Sequence, residues 1–307
     1  MEATEKIWMN GDLVDWDDAR IHVGVHGLHY GSGVFEGVRC YDTPKGPAVF
    51  RLTEHMARLK DSAALINMEI PYSVEELRTA TNELLGANGL AECYIRPIAF
   101  SGFGQLGVSA RSNPVEVAIM SWPWGTYLGE EALNNGIRTK ISSWQRMPPN
   151  VIPHASKATG VYLNSMLAVN EAQRAGYDEA ILLTPDGNVA DGPGETIFVV
   201  AKGKIYTPDL STGILHGITR DSIVQIAADL GHDVVEKNLI RSDLYLADEI
   251  FMCGTAAEVT PVRSVDDHEI GVGPITKELQ KVYLDTVHGA SDRWAQWREL
   301  VPSMTRA

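Results

Sequence analysis

Residues 160–200 read GVYLNSMLAVNEAQRAGYDEAILLTPDGNVADGPGETIFVV. Gly160 to Ala175 reads as a helix that is apolar around most of its circumference, and therefore as a buried one. Ala180 to Leu183 and Thr196 to Val200 are short continuous apolar runs of the kind found in buried strands. The glycine-rich Asp191-Gly-Pro-Gly-Glu195 leads into the second of them. A helix followed by buried strands implies α/β or α+β layering and excludes a helix bundle or a β-sandwich.

Working outward, the same mixture continues on both sides. Downstream, Thr219 is expected to cap a helix with Ile223, Ile226, Ala227 and Leu230 on one stripe and Gly231 at its end. Val234-Val235 and Ile250-Phe-Met252 read as further strands. Upstream, Lys6-Ile-Trp-Met9 and Leu13-Val14 flank Asn10-Gly11, a hairpin signal because both turn positions favour positive φ. Thr53 is expected to cap a helix reaching about Ile66, with Met56, Leu59, Ala63 and Ile66 on one face. Ser73 and Glu76 have capping-box spacing before another helix, which Gly86 or Gly89 can stop. Val115 to Met120 reads as a strand, broken by Trp122-Pro-Trp-Gly125. The length of 307 residues suits two domains. We expect a small α/β domain over 1–122, a linker over 123–133 and a larger domain over 134–307.

Composition narrows the function. The chain carries 26 basic and 40 acidic residues, a formal net charge of −14. Nothing in that balance offsets phosphate repulsion, which argues against a nucleic-acid binder. No run approaches the roughly 18 apolar residues of a membrane span. The opening Met1-Glu-Ala-Thr-Glu-Lys6 lacks the apolar stretch of a secretory signal. Cys40, Cys93 and Cys253 are scattered and form no CxxC, which suits a reducing compartment. These features lead us to expect a folded cytoplasmic protein that contacts neither membrane nor nucleic acid.

Several segments can carry chemistry. Gly31-Ser-Gly-Val-Phe-Glu-Gly37 misses the dinucleotide-binding glycine pattern by one residue. His22, His26 and His29 invite a metal reading. The glycines between them oppose a helix that would present three imidazoles together, and ordinary hydrogen-bonding histidines are expected. Lys157 stands in Pro153-His-Ala-Ser-Lys-Ala-Thr-Gly160, at the entrance to the apolar helix. The helix dipole and apolar neighbours favour the neutral amine that a Schiff-base lysine needs; a solvated surface lysine is the plain alternative. Glu195 precedes an apolar strand, and a half-buried carboxylate there needs a cationic or hydrogen-bonding partner. Gly217-Ile-Thr219 at a helix start and Gly254-Thr-Ala-Ala257 after a strand can hold anions with backbone amides. An amine, a carboxylate and two anion nests meet the needs of a phosphorylated aldehyde cofactor with a pyridine ring.

With those residues in view, the chain resembles the fold-type-IV pyridoxal-phosphate aminotransferases, and among them the branched-chain amino-acid aminotransferase family. The resemblance rests on His29-Tyr-Gly-Ser-Gly-Val-Phe-Glu-Gly-Val-Arg39, Arg51-Leu-Thr-Glu-His-Met-Ala-Arg-Leu59, Tyr94-Ile-Arg-Pro97 and Trp124-Gly-Thr-Tyr-Leu128. It continues through Ser156-Lys-Ala-Thr-Gly160, Gly192-Pro-Gly-Glu-Thr-Ile-Phe198, Gly217-Ile-Thr-Arg220 and Gly254-Thr-Ala-Ala-Glu-Val-Thr-Pro-Val262. It implies a small N-terminal α/β domain and a larger C-terminal pseudo-barrel domain. It also implies pyridoxal 5′-phosphate (PLP) as cofactor, with amino acids and 2-oxo acids as partners. Lys157 would carry the cofactor through a C=N link and shuttle the proton between the substrate α-carbon and cofactor C4′. Glu195 would pair with the pyridine nitrogen. Arg58, Ile218, Thr219 and Thr255 would hold the phosphate, and Tyr162 the phenolic oxygen.

For the substrate, the resemblance implies an apolar wall of Tyr30, Phe35, Val108 and Trp124. Tyr94 with the amides of Ala256 and Ala257 would take the α-carboxylate. Arg96, helped by Tyr30 and Tyr127, would take the distal carboxylate of glutamate. A homodimer, or a higher assembly of dimers, is implied as well, with Tyr30 and Val108 reaching into the neighbouring active site. The sequence departs from the family pattern at Val161, where asparagine is common, and at His216, where proline is frequent. Within the fold, D-amino-acid aminotransferase, (R)-selective amine aminotransferase and aminodeoxychorismate lyase are the rivals. Phe35, Gly37, Arg39, Tyr94-Ile-Arg96 and Leu106-Gly-Val108 favour the branched-chain pattern. The alternative kept open is relaxed specificity that extends to D-amino acids or (R)-amines; a histidine-dependent metal hydrolase is the reading from a different class.

Overall fold

In the computed structural model Asn10 and Gly11 adopt φ of 52° and 108°. They join β1 (Lys6–Met9) to β2 (Asp12–Asp15) as the expected antiparallel hairpin. The structure describes residues 2–109, 111–125 and 129–306, so the expectation for Tyr127 lies outside the described residues. The chain divides into two units: one takes residues up to 125 with 156–160 and 285–307, the other the remainder up to 284. Segments 156–160 and 285–307 thus group with the unit whose expected range was 1–122.

The first unit continues through α1 (His26–Tyr30), β3 (Gly33–Phe35), β4 (Val38–Tyr41), β5 (Ala48–Phe50), α2 (Leu52–Leu65) and α3 (Val74–Asn88). The long strands β6 (Cys93–Ser101) and β7 (Val115–Pro123) follow. Among the described residues the sheet has eight strands, ordered Arg298–Leu300, β5, β4, β6, β7, β1, β2, with β3 on β6. β7 runs through Trp122 to Pro123, which pairs with Cys93, so the expected break at Trp122 is displaced. Proline closes the strand where no further ladder donor is needed.

Two caps differ in outcome. Ser73 caps α3 with the full reciprocal box to Glu76, and Gly89 ends the helix at φ 62°. Thr53 does not cap α2. Arg51, at φ 51°, precedes that helix, while the Thr53 amide and hydroxyl both donate to Glu299 Oε1 at 2.7 and 2.8 Å. An acceptor from the chain's far end takes the place of the local cap.

The second unit carries α4 (Glu130–Asn135), β8 (Ile137–Ile141), α5 (Tyr162–Arg174), β9 (Glu179–Leu183), β10 (Val189–Asp191), β11 (Thr196–Ala201) and β12 (Lys204–Thr207). It continues with α6 (Ile218–Asp229), β13 (Val234–Glu236), α7 (Arg241–Tyr245), β14 (Glu249–Gly254), β15 (Glu258–Val265), β16 (His268–Glu269) and α8 (Pro274–Val287), the last helix passing into the first unit at residue 285. Among the described residues its sheet is nine-stranded, ordered β10-β9-β8-β15-β14-β11-β12-β13 with β16 on β15. It is mixed, with β8 parallel to both β9 and β15. Ile181, Ile197, Val199, Ile250, Met252 and Val262 belong to one buried core cluster of that unit.

Helix α5 corrects an expectation. Only Ser165, Ala168 and Ala172 are buried, whereas Leu163 and Met166 are exposed. The helix has two apolar sides, and this chain covers one. Thr219 likewise does not cap α6: Gly217 is the extended N-cap residue and offers no side-chain acceptor. Thr219 is instead buried in the first turn. Among the described residues no helix is long and apolar enough to cross a membrane.

Candidate active site

Lys157 lies in the short segment that joins the first unit, and its backbone is fixed on two sides. Its N–H donates to Ser62 Oγ at 3.0 Å, and the Ser156 hydroxyl donates to the Ser62 carbonyl at 2.8 Å. On the other side the Phe35 N–H donates to the Lys157 carbonyl at 3.0 Å. Thr159 Oγ1 donates to the Gly31 carbonyl at 2.7 Å. The Lys157 Nζ stands 5.1 Å from the centre of the Phe35 ring.

The face of α2 that carries Ser62 also carries His55 and Arg58, at helical spacing. Both reach Glu36, in the connection between β3 and β4. Arg58 donates from Nε to Glu36 Oε1 at 2.7 Å and from Nη2 to Oε2 at 2.8 Å. His55 Nδ1 meets Oε2 at 2.7 Å. Glu36 and His55 are buried. Burial works to raise the Glu36 pKa, but the Arg58 charge and the hydrogen bonds from His55 and Arg58 overcome it and hold the carboxyl well below the usual range. Burial lowers the pKa of His55 against the pull of Glu36, which keeps the ring neutral.

Phe35 links the amine to a second group. The Arg96 guanidinium stacks over the Phe35 ring at 4.6 Å and over Tyr94 at 5.4 Å. Tyr94 in turn packs on Trp122 and Trp124, with ring centres 5.2 and 4.9 Å apart. The structure therefore brings Phe35, Tyr94, Arg96 and Trp124 together with Lys157. Tyr30 and Val108 stand at the surface of this chain. Val108 is 92% exposed, and the exposed Tyr30 ring stacks on His26.

The second unit holds the remaining candidates. Glu195 is buried just ahead of β11, its Oε2 accepting the Gly194 N–H at 3.0 Å and its carbonyl the Gly192 N–H at 2.9 Å. Arg146 ties this turn down. It pairs with Asp191 and donates to the Gly192 carbonyl at 2.7 Å and to Ser165 Oγ on α5 at 3.1 Å. Tyr162 opens α5, and Ile218 and Thr219 open α6. Thr255 and Ala256 form the turn between β14 and β15, with Ala257 buried beside them. A Cβ on Gly254 would stand 3.2 Å from the Gly194 carbonyl, so the two turns approach closely. Glu179 on β9 is buried. Burial, and then the charge of Glu195, push its pKa up to about 9.

Sequence reasoning passed over Glu36, His55, Ser62 and Arg146. A carboxylate between Phe35 and Gly37 in an apolar stretch was the available signal for the first, since such a group needs a partner. The helical spacing of 55, 58 and 62 was the signal for the next two. Arg146 follows no local pattern. The three N-terminal histidines have ordinary partners: His26 bonds Ser32 and Gly107, His22 the Gly24 amide, and His29 the Val23 carbonyl. Among the described residues no group of His, Cys, Asp and Glu is placed to hold a metal.

A mixed two-unit α/β chain with a buttressed lysine and a buried glutamate beside small-residue turns defines a class, and the comparisons agree with it. Residues 33–265 match the amino-transferase class IV family, and the chain belongs to it. It is 50% identical over 298 residues to a branched-chain-amino-acid aminotransferase of Pseudomonas aeruginosa, covering 96% of this chain and 97% of that protein. The solved branched-chain amino acid aminotransferase of Escherichia coli superposes with a TM-score of 0.95 at 46% identity, over 97% of this chain and 99% of that one. The branched-chain amino acid aminotransferase of Thermobaculum terrenum, solved in its PLP form, gives a TM-score of 0.92 at 37% identity, over 98% and 99% of the two chains.

Proposed function

We propose that this chain is a branched-chain-amino-acid aminotransferase. It transfers the amino group of L-leucine, L-isoleucine or L-valine to 2-oxoglutarate, giving branched 2-oxo acids and L-glutamate, and its cofactor is PLP. The activity named for its relatives, at 37–50% identity over nearly whole chains, supports the reading. Within the fold, the observation that carries it is the Phe35 ring, which lies beside both the Lys157 amine and the Arg96 guanidinium. An apolar surface next to an amine suits a branched alkyl group, and an arginine on that surface suits the second carboxylate of glutamate. One pocket then serves both half-reactions.

The donor set fits PLP. A primary amine is present, a buried carboxylate holds an N–H, and α6 begins on a glycine that offers its amides no side-chain acceptor. When bound, PLP supplies an aldehyde that condenses with amines and a ring that accepts the electron pair from the substrate α-carbon. Lys157 would hold the aldehyde carbon, and its amine would move the proton at the substrate α-carbon. Glu195 would hold a proton on the pyridine nitrogen. Arg58, the Ile218 amide, Thr219 and Thr255 would bind the phosphate, and Tyr162 would orient the phenolic oxygen. Tyr94 with the amides of Ala256 and Ala257 grips the α-carboxylate. Phe35, Trp124, Tyr30 and Val108 exclude water from the alkyl group, and Arg96 with Tyr30 and Tyr127 binds the distal carboxylate.

Rapid-mixing measurements of each half-reaction test this assignment. Loss of a buried charge partner costs about 2–5 kcal/mol, so Arg96→Ala slows the glutamate half-reaction by about thirtyfold or more. The leucine half-reaction, which brings no second carboxylate, changes far less. Equal losses in both contradict the role of Arg96. D-amino acids or (R)-amines reacting as fast as L-leucine favour the relaxed-specificity alternative, which no relative reported above supports by name.

The same reading makes the enzyme a homodimer or an assembly of dimers, with Tyr30 and Val108 completing the neighbour's pocket. Their exposure in this chain supports it, as do Leu163 and Met166 on the uncovered side of α5. A cytoplasmic setting fits the three cysteines, all buried thiols.

A further inference from the structure

We propose that Glu36 and His55 are positioning residues that aim the Arg58 guanidinium at the cofactor phosphate, so that phosphate affinity depends on a buried carboxylate acting only through Arg58. The proposal rests on the reading above that Arg58 binds the phosphate. Its basis is the two-point fork from the Nε and Nη2 edge of Arg58 to both oxygens of Glu36. A bidentate fork fixes the plane and direction of a guanidinium, which a single contact does not. His55 Nδ1 then holds Oε2 from a third direction, so the carboxylate cannot rotate away. Burial of Glu36 makes an unpaired alternative costly, and its low pKa keeps it charged throughout the working range.

The placement of the fork speaks against a mere structural tie. Well-packed apolar side chains join a helix to a strand as well as a buried ion pair does. Here the helix face that carries Arg58 also carries Ser62, which fixes the backbone of Lys157 and Ser156. PLP carries its aldehyde and its phosphate arm on neighbouring ring carbons, and the phosphate arm rotates until a partner fixes it. A helix face that carries both the arginine and the anchor of the lysine backbone therefore sets the two groups that would meet these two substituents.

Electrostatics gives the proposal a sign. A carboxylate near a phosphate repels it, so if Glu36 acted through its charge alone, Glu36→Gln would tighten PLP binding. If it acts by aiming Arg58, Glu36→Gln weakens it. The test titrates the full-length protein, freed of cofactor, with PLP and with pyridoxal, which has no phosphate. We expect Glu36→Gln to raise the Kd for PLP about tenfold or more and the Kd for pyridoxal less than about twofold, as expected for a charge-assisted fork that only the phosphate uses. Unchanged or tighter PLP binding overturns the proposal, and so does equal weakening of both, which marks a general structural loss. Arg58→Met separates the two layers. If that variant keeps the wild-type preference for PLP over pyridoxal, the phosphate role of Arg58 fails, whatever Glu36 does. The double variant Glu36→Gln/Arg58→Met leaves no buried charge unpaired and covers the case in which Glu36→Gln alone does not fold. It should bind PLP as Arg58→Met does, and a further loss in the double variant overturns the proposal.

Discussion

A side chain added at Gly37 would collide with the Tyr94 hydroxyl. Glycine is required there by a neighbour's approach and not by its own backbone, because Gly37 is absent from the positive-φ positions. The Tyr94 ring that carries this hydroxyl packs against the tilted rings of Trp122 and Trp124, 5.2 and 4.9 Å away, so the clash moves a packed ring. Gly37→Ala should therefore displace it from where we propose it meets the α-carboxylate. Misplacement by about 1 Å costs up to about a hundredfold, so we expect kcat/KM to fall tenfold or more for leucine and glutamate alike. The cofactor absorption spectrum should stay unchanged, and kinetics with both substrates check this. A selective loss for glutamate would place the damage at Arg96 instead. Residues of this kind divide by how local their signal is. Lys157, Glu195 and the small-residue turns could be singled out as candidates because each motif is contiguous in the chain. The fork between Glu36 and Arg58 spans 22 positions and is visible only once β3 and α2 are packed.

At the level of elements, β9 is built as a buried strand and yet opens with a carboxyl group. Glu179 pairs in register with Thr139 on β8, and its Oε1 accepts the Ala180 amide at 2.8 Å. Burial and the Glu195 charge raise its pKa from 4.5 to about 9. The folded chain thus keeps a proton that the unfolded chain releases. The resulting stability is complete below the ordinary carboxyl pKa and is lost as pH rises toward the folded value, by at most about 1.4 kcal/mol per pH unit. Glu179→Gln removes this dependence. Denaturant unfolding of wild type and variant between pH 5 and pH 9 should show wild type losing stability more steeply with rising pH. Parallel curves would mean that Glu179 is already ionised in the folded protein. The elements themselves were legible where local chemistry was self-sufficient, as in the Asn10-Gly11 hairpin and the Ser73–Glu76 box. They were misread where a distant group intervened, as when Glu299 took the donors of Thr53. Helix α5 was misread because hydrophobicity alone does not say whether a face meets its own core or another surface.

For the whole molecule, the residues proposed to hold the cofactor fall into two groups along the chain. Lys157, Arg58, Phe35, Tyr94 and Arg96 belong to one, and Tyr162, Glu195, Ile218, Thr219 and Thr255 to the other. Layering and function class were readable from the alternation of helix and strand and from the order of motifs between residues 29 and 262. The grouping of 156–160 with the first unit was not, because hydrogen bonds to Ser62, Phe35 and Gly31 decide it. That grouping makes the lysine the point on which the account turns. Treating the purified holoenzyme with borohydride fixes any carbon–nitrogen double bond between cofactor and protein, and peptide mass spectrometry then locates it. The phosphopyridoxyl mass should fall on the peptide containing Lys157 and be lost in Lys157→Ala. The same mass on another lysine of the wild-type chain, or on none, contradicts the assignment of Lys157.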